Sequence, residues 1–119
     1  MLDVNVLMRA VQDSADSVVI TQVGDDGQRP IVFINHAFER MTGYAEAEVL
    51  GRDCRFLNQG LERQPELDAL REALSAGRHC RVVVENQRKN GQRFWNELSI
   101  SPVHNPDGLL THFLGIQND

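Results

Sequence analysis

Residues 80–119 read CRVVVENQRKNGQRFWNELSISPVHNPDGLLTHFLGIQND, and the period of the apolar positions in this stretch decides the fold. Cys80–Arg88, Arg93–Val103 and Leu110–Gln117 alternate or run apolar at strand length. They are separated by Lys-Asn-Gly and Asn-Pro-Asp-Gly, both strong turn signals. An antiparallel meander follows. Within RFWNELSISPV, Phe94, Asn96, Leu98 and Ile100 share one face, while Trp95, Glu97 and Ser99 share the other. The first set is the buried one, so Asn96 stands in an apolar row. Asn86 is in phase with Val82 and Val84, and Gln117 with Phe113 and Gly115. Neighbouring strands thus each place an uncharged amide on the inner face. A buried amide left unpaired costs about 1–3 kcal/mol, so these groups need partners. Backbone or water could supply them. So could a heterocycle with alternating donors and acceptors, and Gly115 leaves room for a flat ring against the sheet.

Upstream, Ser17–Gln22 and Ile31–Asn35 are short β-branched runs joined by turn-forming GDDGQRP, which predicts a hairpin. From His36 to Leu50 the pattern is helical with a break at Thr42-Gly43-Tyr44, and Pro65 opens a second helix that Gly77 closes. Residues from Met1 to about Ser14 carry Leu2, Val6, Leu7, Ala10 and Val11 near helical spacing. The expected architecture is α+β: a five-stranded antiparallel sheet with helices on one face, divided into a cap helix over 1–16 and a core over 17–119. The N-terminal stripe is either a dimer contact or a cap over the sheet.

On the helix from Pro65, Leu67, Leu70 and Leu74 form the apolar stripe. Arg71 lies only about 40° from Leu67 around the axis, where it either snorkels to solvent or reaches inward to a phosphate. Arg55, beside Cys54, is a second such cation. A heterocycle with a phosphate tail describes a nucleotide-like cofactor, of which flavin mononucleotide (FMN) is one.

The bulk numbers restrict function from another side. A net charge of −5 argues against direct nucleic-acid binding, and no run approaches the ~18 apolar residues of a membrane span. Cys54 and Cys80 make no disulfide framework and no zinc spacing, which suits a reducing, cytoplasmic setting. By itself Cys54 is an ordinary small apolar residue. Arg52 and Arg55 would lower its pKa and Asp53 would oppose them, while His36, His79, His104 and His112 form no recognisable base signature for a thiol enzyme.

Four segments change that reading of the cysteine. GRDCRFLNQ (51–59) resembles the GxNCRFLQ motif of LOV domains, the blue-light-sensing branch of the PAS superfamily. FINHAFERMTGYAEAEVLG (33–51), NQRKNGQRFWNELSISPV (86–103) and HFLGIQND (112–119) resemble, in order, the helical run, strand pair and closing strand of the same family. The resemblance implies a PAS fold around a flavin pocket that holds FMN, with riboflavin or FAD as other flavins. It makes Cys54 the thiol that bonds reversibly to flavin carbon C4a after blue-light absorption. Asn86, Asn96 and Gln117 would bind the polar edge of the ring, with Gln117 relaying the change near flavin N5. Arg55 and Arg71 would bind the phosphate, and Thr21, Leu57, Leu98, Ile100 and Phe113 would pack on the ring. The implied function is a photoreceptor domain that turns over no substrate and signals by conformational change to an output domain or partner not evident from the sequence. A plain, light-insensitive PAS interaction module is the alternative, and a homodimer is the expected assembly.

Two departures from the pattern stand out. Asp53 replaces the family Asn before the cysteine. Leu57-Asn58-Gln59-Gly60 replaces Leu-Gln-Gly, which puts Asn58 at the glutamine position and Gln59 in the following loop. Asn58 is one methylene shorter, so its contact with the ribityl chain is expected to be lost or bridged by water.

Overall fold

The computed structural model describes all 119 residues. In chain order the elements are α1 (Val4–Gln12), β1 (Ser17–Gln22), β2 (Ile31–Ile34), α2 (His36–Thr42), α3 (Glu46–Val49), a 3-10 turn (Cys54–Asn58), α4 (Pro65–Ala76), β3 (Cys80–Gln87), β4 (Arg93–His104) and β5 (Leu110–Asn118). The strands form one antiparallel sheet in the order β2-β1-β5-β4-β3. The first and last strands therefore pair, with Ser17 opposite Gln117 and Val19 opposite Gly115. That pairing joins the N-terminal hairpin to the C-terminal meander.

The strand phases decide which side is covered. Phe94, Asn96, Leu98 and Ile100 are buried, whereas Trp95 on the opposite face is 62% exposed, as is much of Val83 and Val103. Helices α2, α3 and α4 and the 3-10 turn pack against the sheet, over the buried face. One core cluster gathers Val19, Ile31, Ile34, Phe38, Val49 and Leu57. A second gathers Leu98, Ile100 and Phe113, with Leu70 and Leu74 of α4 packed against it.

The local signals act as their chemistry dictates. Pro65 starts α4 at a position that needs no N–H, and Gly77 ends it at φ 67°. Gly43, at φ 80°, closes α2, and the Thr42 hydroxyl donates to the Phe38 carbonyl, so the helical run breaks into α2 and α3. Asn35, expected as the last residue of a strand, is instead the cap of α2. Its Oδ1 accepts from the N–H groups of Phe38 (3.1 Å) and Val18 (2.8 Å), and its Nδ2 donates to the carbonyls of Val11 and Asp16 (2.9 Å each). This one fully buried amide joins the end of α1, the start of β1 and α2. Arg88 likewise falls just past β3, where its guanidinium lies over the Phe94 ring and pairs with Asp119.

The N-terminal helix is shorter than its apolar pattern, beginning after Asp3, whose side chain accepts from the Asn5 N–H. None of its residues is buried, and Leu2, Val4, Val6, Leu7 and Met8 all stay exposed. No helix is long and apolar enough to cross a membrane.

Candidate functional site

Between the inner face of the sheet and the wall made by the 3-10 turn and α4 lies a cavity of about 360 Å³. Every candidate residue named from the sequence lines it: Thr21, Cys54, Arg55, Leu57, Asn58, Arg71, Asn86, Asn96, Leu98, Ile100, Phe113, Gly115 and Gln117. Its sheet wall is Gly115 among Val19, Ile100 and Phe113. A Cβ at Gly115 would stand 2.8 Å from Val19 Cγ1 and 3.4 Å from Ile100 Cδ1, so only glycine fits there without displacing its neighbours.

The amides form a connected row. Asn96 Nδ2 donates to Asn86 Oδ1 at 2.9 Å, and Asn86 Nδ2 donates to Asn58 Oδ1 at 2.7 Å and to the Glu85 carbonyl at 3.2 Å. Asn58 is thus drawn toward the sheet, its shorter side chain ending on Asn86. Two acceptors, Asn96 Oδ1 in the row and Gln117 Oε1 on β5 outside it, are buried without a partner. Unlike Asn35, whose groups are all used, these amides are aimed at something that the protein itself does not supply.

Cys54 begins the 3-10 turn, partly exposed and packed against the first core cluster. Burial, reinforced by the neighbouring Asp53 carboxylate, pushes its thiol up to about 12. The sequence left the balance of Arg52, Arg55 and Asp53 open; desolvation decides it, and the sulfur stays protonated at neutral pH. Reactive thiolate enzymes need the opposite shift. Asp53 has a structural task of its own, because it caps this turn. Oδ1 accepts from the Arg55 N–H (3.1 Å) and Oδ2 from the Arg29 N–H (3.4 Å). Both bonds use acceptor oxygens, and an asparagine has one where aspartate has two.

Exposed arginines mark the open end. Arg55 lies 3.3 Å from Asp53 and donates to Gln28 Oε1 at 3.1 Å, and Arg71 lies 3.2 Å from Asp68. Pairs this exposed are weak, so both guanidinium groups can re-aim at an anion. Arg29 lines the same opening and forms no ion pair.

Residues 15–119 match the family model described as PAS domain. A blue-light-activated histidine kinase of Brucella canis is 47% identical over 91 residues, which is 76% of this chain and 18% of that protein. A solved RNA-binding light-oxygen-voltage receptor superposes with a TM-score of 0.90 at 42% identity, covering 97% of this chain and 32% of that one. The LOV domain of a blue-light-activated histidine kinase from Erythrobacter litoralis superposes with a TM-score of 0.80 at 36% identity, covering 89% of this chain and 96% of that domain. The chain is a LOV domain of the PAS family. It spans only about a fifth of the Brucella kinase, so the remainder of such a protein lies outside what these residues describe.

The chromophore of LOV domains is a flavin, and the cavity of this LOV domain fits one. It offers a partnerless amide oxygen for the one ring N–H of an oxidised flavin, further amides for its ring acceptors, a glycine wall for the ring, and cations at the mouth. Several lining residues are not among the site candidates the sequence singles out. Val19 and Val84 share the inward phase of Thr21 and Asn86 and were readable from it. Arg29 was not, because it sits in a turn whose path no periodicity predicts.

Proposed function

We propose that this LOV domain is a cytoplasmic blue-light sensor that holds FMN in the cavity and uses Cys54 as its photoactive thiol. The observation that carries the reading is the pair of buried, partnerless oxygens on Asn96 and Gln117, in the same cavity as a protonated cysteine. A bound flavin supplies the blue-absorbing ring and, once excited, the electrophilic carbon C4a at which a thiol can add. The chain's own residues do the rest. Asn86, Asn96 and Gln117 orient the polar edge of the ring, while Thr21, Leu57, Leu98, Ile100 and Phe113 pack on it and exclude water. Cys54 Sγ, neutral at working pH, brings both the sulfur and the proton that must accompany it. Gln117 then exchanges its hydrogen bonding, and as part of β5, paired to β1 at Ser17, it passes the change into the sheet.

Arg55 and Arg71, joined by Arg29, favour the doubly charged phosphate of FMN over riboflavin, which lacks it. The exposed apolar side of α1 is assigned to a homodimer contact, through which the change in the sheet reaches a second copy or an output domain. Titration of ligand-free protein with FMN, riboflavin and FAD tests the cofactor. FMN should give a yellow protein and bind about tenfold or more tighter than riboflavin, for loss of charge-assisted hydrogen bonds. A protein that stays colourless and takes up no FMN leaves only the light-insensitive PAS module.

A further inference from the structure

The segment between the Cys54 turn and α4 ends at Gln64, whose side chain plays no part in capping the helix that follows. It turns instead to β3, the edge of the sheet. Gln64 Oε1 accepts from the Glu85 N–H at 2.7 Å, and Gln64 Nε2 donates to the Glu85 carbonyl at 2.7 Å. The same nitrogen donates to the Leu61 carbonyl at 2.9 Å. The side-chain amide thus behaves as one rung of a further strand, satisfying both backbone groups that an edge residue turns away from the sheet.

What hangs on this rung is the cavity. The Glu85 carbonyl that receives Gln64 also receives Asn86 Nδ2, whose other bond goes to Asn58 in the turn that carries Cys54. On the other side of Gln64, α4 presents Leu67, Leu70, Arg71 and Leu74 to the cavity. We propose that Gln64 is a positioning residue: it clamps the α4 wall to the edge strand, fixes where Asn86 points its amide, and so controls how long the cofactor stays. This rests on the flavin reading, with FMN as the ligand retained.

The test compares wild type, Gln64→Ala and Gln64→Glu by two measurements: hydrogen exchange of the Glu85 amide in ligand-free protein, and the release rate of bound FMN. In Gln64→Ala, Glu85 exchange and FMN release should each rise about tenfold or more, as expected for losing several hydrogen bonds. Gln64→Glu keeps an acceptor for the Glu85 N–H but faces two carbonyls with a carboxylate. Its FMN release should be fast at neutral pH and slow toward the wild-type rate as pH falls through about 4–5, where the acid regains a proton to donate. Wild type should show no such step. The pH dependence is read within one protein, so it decides the matter even where Gln64→Ala does not fold. Unchanged Glu85 exchange in Gln64→Ala overturns the clamp; a raised exchange with an unchanged FMN release rate overturns its control of the cofactor. A wild-type protein that takes up no FMN overturns the flavin reading and the retention role with it, while Glu85 exchange still decides the clamp.

Discussion

A buried amide can be structural or functional, and this chain holds both kinds within one domain. Asn35 has every hydrogen-bonding group matched to backbone, so its work is finished on folding. Asn96 and Gln117 keep one oxygen each unmatched; so do Gln12 and Ser17, but only the first two line the cavity, and the two features together separate a cap from a ligand site. The amides of Asn86, Asn96 and Gln117 were legible in the sequence because a strand's period of two fixes the face each residue takes. That Asn58 would bond Asn86 was not legible, since periodicity says nothing of contacts between a turn and a strand. The orphaned oxygens carry a prediction about stability. Gln117→Leu removes the need to desolvate an unpaired group, so the ligand-free protein should gain up to about 1–3 kcal/mol in a thermal or denaturant unfolding curve. The same substitution should weaken FMN binding. A ligand-free variant less stable than wild type, with cofactor affinity intact, would mean that Gln117 is satisfied in some other way.

At the scale of elements, composition and periodicity located nearly every helix and strand, including the break in the helical run at Gly43. The misplacements were at ends: Asn35 caps α2, and the Arg88 N–H donates to the Gln92 carbonyl to close the turn after β3. The 3-10 turn at Cys54–Asn58 carries no periodic pattern and was found through its likeness to a motif. Helix α1 has the amphipathic pattern without a core to receive it, and its exposed Val4, Val6, Leu7 and Met8, with Leu2 just before it, form the surface assigned to dimerisation. Leu7→Glu places a charge there without touching the cavity. Wild type should sediment as a dimer and this variant as a monomer, with the same flavin content. A monomeric wild type at high concentration would remove α1 from that role.

For the whole molecule, the sequence specified an antiparallel α+β domain but not the order of its strands. Alternation gives each strand a face; it does not name the neighbour, and the pairing of β1 with β5 came only from the structure. That pairing matters for function, because it sets Gln117 beside Ser17 and links the cavity to the N-terminal end of the chain. The cavity is likewise a property of the whole, built from both core clusters, the turn and α4. An absorbance time course after a blue flash on FMN-loaded protein reads out the proposed light-driven, reversible bond between Cys54 and the flavin. The visible band of wild type should bleach and return in darkness, while Cys54→Ala keeps its colour and does not bleach. A flavin-loaded wild type that fails to bleach, or a Cys54→Ala variant that bleaches and recovers as wild type does, would contradict the account.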